Sequence, residues 1–399
     1  MSSRSRFWLL CGCTFFHFLS MGVFLSSLPL FVDRELNGSK AAVGFAVGCY
    51  SLTAVASRPW MGRRIDRLGR AWFIRLAPVL VAITAVGLTL ADVLGAVIGL
   101  RLLQGFAAAA FYTGAATIAT DLAPDHQRAS YISRFSLFLY AGFAAGPALG
   151  EALVESKTYS WAWMAAALAA VTAATIAFVI PETKEDDDAA DDAGTRPRAR
   201  RFVHPVAIAP GMVLMTIAVG YTAISSFAPL YARSIGMGSS GGLYVTFALT
   251  ILVIRLVSGR MSDRFGRTAI ALPGCVSAAV GAFVLAAFDV PLAAYVGVAF
   301  FGAGHALAFP ALMAHTVDQV PNSERGEALG SFTACFDLGA STGGYLVGFV
   351  ADQAGYAAAW ATPGIICLAG VVVLLVFVRP VERRRAIAAE LLEPEPAGT

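Results

Sequence analysis

The feature that most limits this chain is the recurrence of apolar stretches about 20 residues long, the length of helix that crosses roughly 30 Å of hydrocarbon at 1.5 Å per residue. Twelve such stretches occur, at 7–32, 41–61, 72–91, 93–119, 129–152, 161–180, 205–232, 240–260, 269–288, 291–316, 327–350 and 357–378. Charges, Gly/Pro turns or polar runs separate them. Of the 399 residues, 57% are hydrophobic and 14% charged, far from the roughly 45–50% and 25% of a soluble domain. Lipid is therefore the solvent for most of the chain. The bilayer core offers no water to unpaired backbone groups, so each stretch must be a helix. The expectation is an all-α membrane protein with 12 transmembrane helices.

The basic residues orient these helices, because Lys and Arg resist translocation. With the N-terminus inside, the inner segments hold 20 of the 29 basic residues and the outer segments hold four, Arg34, Lys40, Lys157 and Arg233. Both termini are then cytoplasmic, in a multi-pass protein of the cytoplasmic (inner) membrane. That bias accounts for the net charge of +3, and the chain shows no basic face of the kind that nucleic acid requires. The six cysteines all fall in expected spans. Cys11 and Cys13, two apart on a helix, point in different directions and make a poor metal pair. Arg4 and Arg6 precede an apolar run without an A-x-A-like cleavage site, which reads as an uncleaved first helix.

The segment 181–204 carries Glu185 to Asp188, Asp191, Asp192 and then four arginines, too much charge to bury. It divides the chain into an N-terminal six-helix bundle (1–180), a cytoplasmic linker (181–204), a C-terminal six-helix bundle (205–380) and a cytoplasmic tail (381–399). The two bundles repeat each other. A shift of 197 residues carries Arg58, Gly62, Arg63, Asp66, Arg67, Gly69 and Arg70 onto Arg255, Gly259, Arg260, Asp263, Arg264, Gly266 and Arg267. The same shift carries Gly105, Asp121, Pro124 and Arg128 onto Gly302, Asp318, Pro321 and Arg325. Parallel repeats of this kind create an interface near the bilayer midplane, where a solute can sit while the halves rock around it.

The run Gly62-x-x-x-Asp66-Arg67-x-Gly69-Arg70 between the second and third spans, echoed after the eighth, resembles the signature of the major facilitator superfamily. The resemblance extends over essentially the whole chain. It implies two six-helix bundles related by pseudo-twofold symmetry and a cytoplasmic latch in the loop after the second span. In that latch Asp66 pairs with basic groups such as Arg128 and with a helix end, and Asp263 plays the same part in the repeat. The family often places a second basic residue after the last Gly, where this chain has Ala71 and Thr268. Arg101-x-x-Gln104-Gly105 resembles the family's second motif, whose Arg is implied in proton transfer. Gly142-x-x-x-Gly146-Pro147-x-x-Gly150 resembles the motif of exporters and antiporters, with Glu151 replacing a final Gly.

Other candidates come from depth and helical phase. Asp337 is the one carboxylate deep in a span, on a stripe with Thr333, Ser341 and Gly344, and an intramembrane carboxylate is by default a proton or cation site. His17 and His305 lie near mid-depth, where an imidazole can exchange protons near neutral pH. Arg101 and Glu151 complete the proton-coupling candidates. Phe24, Tyr112, Tyr140, Tyr221, Ser225, Phe309 and Ser341 are candidate liners of a substrate cavity.

The function these features favour is proton-coupled efflux of small amphipathic molecules, drugs or metabolites, by alternating access. Symport or facilitated uptake of a sugar, amino acid or organic acid is the alternative, and Pro181-Glu182-Thr183 resembles an element of sugar porters. A receptor or scaffold on the same fold is more remote. The chain lacks G-x-x-x-x-G-K-[ST], HExxH and Gly-x-Ser-x-Gly, so nucleotide-driven pumping and common hydrolytic chemistry lack their residues. The expected partners are a small molecule, protons and lipid; no cofactor, metal, nucleotide or nucleic acid is expected, and the protein is expected to act as a monomer.

Overall fold

The computed structural model describes residues 2–124, 128–156, 158–183, 203–321 and 324–382, and among these every regular element is a helix. Within these, the side chains of residues 58–60, 62, 63, 66, 67, 128–130, 133 and 256–265 lie outside what is described. The helices are α1 (Ser3–Arg34), α2 (Lys40–Gly48), α3 (Tyr50–Leu68), α4 (Arg70–Leu88), α5 (Leu94–Asp121), α6 (Arg128–Ser156), α7 (Tyr159–Val179), α8 (Pro205–Ser234), α9 (Gly241–Phe265), α10 (Arg267–Ala287), α11 (Pro291–Val317) and α12 (Arg325–Val373). A π-helical turn, Leu374–Val378, follows. Among the described residues, ten helices are long and apolar enough to cross a membrane, and Gly241–Arg255 adds a shorter apolar stretch.

Three boundaries differ from the expectation. The second span is broken at Cys49, where Leu52 N bonds Cys49 O at 3.0 Å in a four-residue turn. The eleventh and twelfth spans run together in α12, which would be roughly 73 Å long if straight, more than twice the hydrocarbon thickness; Gly355, at φ 76°, interrupts it. The signature run is not a loop. Residues through Leu68 continue α3 and those through Phe265 continue α9, so the break in each case is a single glycine, Gly69 at φ 91° or Gly266 at φ 94°. A side chain other than glycine is strained in that left-handed region.

Helix packing repeats along the chain. In the first half α1 lies on α6, α4 on α5 and α7, and α3 on α5; in the second, α8 lies on α12, α10 on α11 and α12, and α9 on α11. The main contacts between the halves are α1 with α8, α2 with α8 and α12, α3 with α12, and α6 with α9. Lipid tails are as apolar as leucine, so close van der Waals approach through small residues must hold such helices together. The α1–α6 seam shows it. A Cβ on Gly146 would lie 2.6 Å from Gly22 Cα, one on Gly142 would lie 2.6 Å from Phe15 O, and one on Gly150 would lie 2.7 Å from Val23 O. Ser26 Oγ donates across the same seam to Pro147 O at 2.8 Å.

The linker residues 184–202 and the tail residues 383–399 lie outside the described set.

Candidate functional site

Charged side chains gather at three levels: the end carrying Ser2 and Glu382, the opposite or far end, and the middle.

At the first end, each half shows the same arrangement. Past Gly69, the first two amides of the next helix, Arg70 N and Ala71 N, donate to the two carboxylate oxygens of Glu182 at 2.9 Å each. Past Gly266, Arg267 N and Thr268 N donate to Glu382 at 2.7 and 3.0 Å. A carboxylate on a helix N-terminus satisfies orphan amides and meets the positive end of the helix dipole. The basic residue of each signature then pairs with the end of a neighbouring helix, Arg70 with Asp121 at 2.6 Å and Arg267 with Asp318 at 3.1 Å. Thr183 Oγ1 also donates to Asp121, at 2.8 Å. Sequence reasoning missed Glu182 and Glu382 as caps. The legible signal was the Pro181-Glu182 and Pro380-x-Glu382 pairs just beyond the sixth and twelfth spans. The side chains of Asp66, Arg67, Arg128, Asp263 and Arg264 lie outside the described set, and Gly62 and Gly259 fall inside α3 and α9.

At the far end, carboxylates reach from one half to the other. Glu151, near the end of α6 and 1% exposed, accepts from Ser240 N and Ser240 Oγ at 2.8 Å and from Ser239 Oγ at 3.0 Å, at the start of α9. Arg233 stands 3.6 Å from its other oxygen and 3.1 Å from Glu155. Asp352 on α12 accepts from Lys40 N and Ala41 N, at the start of α2, at 2.9 Å each. Between them α2 and α12 touch backbone to backbone at Gly44 and Gly344, and a Cβ on Gly48 would lie 2.9 Å from Ala340 O. Tyr244 OH donates to Leu25 O at 3.1 Å. Glu151, expected among proton carriers, caps the start of α9 across the two halves; Asp352 was missed because its partner amides are more than 300 positions away.

In the middle, the structure separates the expected residues. Arg101 does not reach the interface. It is 3% exposed, donates from Nε to Ala46 O (3.2 Å), from Nη2 to Val47 O (2.9 Å) and from Nη1 to Gln104 Oε1 (2.7 Å), and lies over Tyr50. Its charge thus meets the carbonyl end of α2, where a cation is stabilised. His17 is fully buried and stacks on Phe111 at 3.8 Å, and neither ring nitrogen has a hydrogen-bond partner among the described residues. Phe24 is packed in the core. Ser225 and Ser341 are buried with their hydroxyls turned onto their own helices, at Tyr221 O and Leu338 O. Gly344, at the end of the Asp337 stripe, is a helix contact.

Asp337 is buried, on the face of α12 that continues through Ala340 and Ser341 toward Gly48. His305 is the hub of an aromatic cluster. Its ring lies 5.8 Å from those of Tyr221 and Phe309, 6.0 Å from Phe336 and 6.3 Å from Phe247. Arg255 lies over Tyr140 of the other half at 4.7 Å and by Phe309 at 6.0 Å. Tyr112 is exposed on α5, six residues from Phe106 and so roughly 120° around the helix from it. Phe106 lines an apolar groove of about 610 Å³ between α4 and α5, with Trp72, Leu76 and Ile83, which holds none of the polar candidates.

The sequence model of the Major Facilitator Superfamily matches residues 10–298 and 238–397. The chain belongs to the major facilitator superfamily. It is accordingly a multi-pass membrane transporter and not an enzyme. It is similar to the staphylopine export protein of Staphylococcus aureus, with 24% identity over 354 residues, 85% of this chain and 88% of that one. Among solved structures it is similar to the inward-open xylose transporter XylE of E. coli, at 15% identity and TM-score 0.77 over 94% of this chain and 96% of that one. It is also similar to the human organic anion transporter MFSD10, at 17% identity and TM-score 0.69 over 94% and 100%. These structural likenesses establish the fold.

Proposed function

We propose that the protein exports a small amphipathic solute by alternating access across twelve membrane crossings, driven by inward movement of protons. The observation that carries this reading is the α1–α6 seam, in which Gly142, Gly146 and Gly150 of the exporter-like motif interdigitate with α1. Pro147 removes one backbone donor from α6 and leaves it bendable where it is most tightly held. Similarity to an exporter over 85% of the chain supports the direction. With the termini cytoplasmic, the Glu151 and Asp352 caps close the outer face, so the arrangement corresponds to a carrier with its outer gate shut. Proton drive is sufficient in scale: one proton crossing 100 mV releases about 2.3 kcal/mol, enough for roughly a 50-fold gradient of a neutral solute. Asp337 is the proposed proton carrier.

The test is direction of transport in everted membrane vesicles, energised to pump protons inward and screened with a panel of radiolabelled amphipathic metabolites and drugs. An exporter accumulates its solute inside everted vesicles and loses that accumulation when a protonophore is added. Accumulation only in right-side-out vesicles would establish uptake instead.

A further inference from the structure

Arg255 lies on α9 within the eighth span, about five residues, or roughly 7.5 Å, from its limit at residue 260. A cation held at such depth is costly unless it faces a cavity or a partner. Arg101 shows the satisfied case, with three nitrogens each on an oxygen. Arg255 differs. Among the described residues it makes no ion pair, and its Nε is closed off from solvent with no hydrogen-bond partner, although the side chain as a whole is partly exposed. Its flat face is occupied by Tyr140 and Phe309, which leaves the in-plane fork of N–H donors. The neighbouring His305 carries a second buried orphan, Nδ1, within the rings of Tyr221, Phe309 and Phe336.

We propose that this cluster binds the carboxylate of a flat, apolar organic acid, with Arg255 as the bidentate anchor and the surrounding rings as walls. A guanidinium fork matches a planar carboxylate, and aromatic faces suit a flat apolar body. A cationic solute would meet like charge there. The deep acid Asp337 follows Phe336 by one residue and so leaves α12 about 100° around from that ring. The other titratable groups around Arg255, the hydroxyls of Tyr140 and Tyr221 and the His305 ring, carry no negative charge in their neutral forms. This assignment names the solute class for the export reading and rests on that reading for transport, but not for binding.

The experiment measures binding without any gradient, by isothermal titration of purified full-length protein at neutral pH with 2-naphthoate, 2-naphthamide and 2-naphthylmethylamine, three probes of one shape and different charge. The expected result is that the carboxylate binds at least about tenfold more tightly than the amide or the amine. Arg255→Gln brings the carboxylate to within about twofold of the amide, and Arg255→Lys keeps a weakened preference for the anion. An amine bound as well as the carboxylate, no saturable binding of the carboxylate up to about 10 mM, or a preference intact in Arg255→Gln overturns the assignment. If Arg255→Gln does not purify as a monodisperse protein, unchanged carboxylate affinity in Arg255→Lys overturns it. Carboxylate binding that depends on Arg255 in a protein that exports nothing in everted vesicles would sink the export reading and leave this one standing.

Discussion

Breaking the two far-end caps together, with Glu151→Gln and Asp352→Asn, should shift the protein toward a state open at that end. Both carboxylates bond amides of a helix that belongs to the other half, so the bonds exist only while the halves meet there. Charge-assisted hydrogen bonds contribute about 1.5–3 kcal/mol each, and a charge at a helix N-terminus about 0.3–2 kcal/mol. The amide replacements keep an acceptor oxygen and lose the charge, so each costs about 1–2 kcal/mol. The two sites share no partner and should add, for about 2–4 kcal/mol in all, a shift of roughly 30- to 900-fold. A protein closed 99% of the time would then be open in about a quarter of molecules or more. Electron–electron resonance distances between spin labels at residues 35 and 234, exposed positions at the ends of α1 and α8, read this directly. Wild type should give one short distance and the double variant a second, longer one. An unchanged distribution would refute the idea that these carboxylates hold the gate.

Gly146→Leu should abolish solute flux and lower the melting temperature, because its Cβ alone meets the Gly22 backbone and overpacking costs about 1–3 kcal/mol or more. Gly114→Leu first meets the Ile74 side chain at 3.2 Å and Arg70 O at 3.3 Å, so it should be milder; equal effects in detergent melts and vesicle flux would contradict the account of the α1–α6 seam. Glu182→Gln should speed amide hydrogen exchange at Arg70 and Ala71 by about tenfold, and Glu382→Gln should do the same at Arg267 and Thr268, the equivalent of about 1.4 kcal/mol at each cap. Exchange that rises at both helices in either single variant, or at neither, would mean the two caps are not independent equivalents.

The spans were legible because lipid imposes a length and a composition that no other constraint overrides. The single break inside the second span was not, since what surrounds it is long-range: Arg101, some 50 residues away, takes the carbonyls of Ala46 and Val47. The signature run reads as a loop because Arg and Asp crowd it, yet only Gly69 and Gly266 leave the helix. The polar candidates divide by partner. Glu151 stood out as the residue that replaces the final Gly of the fifth-helix motif, but its partners Ser239 and Ser240 lie in the other half, out of reach of any local pattern. Helical phase put Asp337, Ser341 and Gly344 on one stripe, which they share, but not what that stripe faces. Arg255 was visible only as the repeat of Arg58, and its setting emerges once α6, α9 and α11 are brought together.

Proton movement coupled to solute movement tests the central claim most directly. Purified protein is reconstituted in liposomes containing a pH-sensitive dye, with the solute found in the everted-vesicle screen, and proton and solute fluxes are recorded together for wild type and Asp337→Asn. The wild type should move protons against the direction of the solute. Asp337→Asn should bind the solute, since Asn keeps the size and polarity of the side chain, but neither move protons on its addition nor build a solute gradient from a pH gradient. Full proton-coupled transport by Asp337→Asn, or solute flux without proton flux in the wild type, would contradict the account.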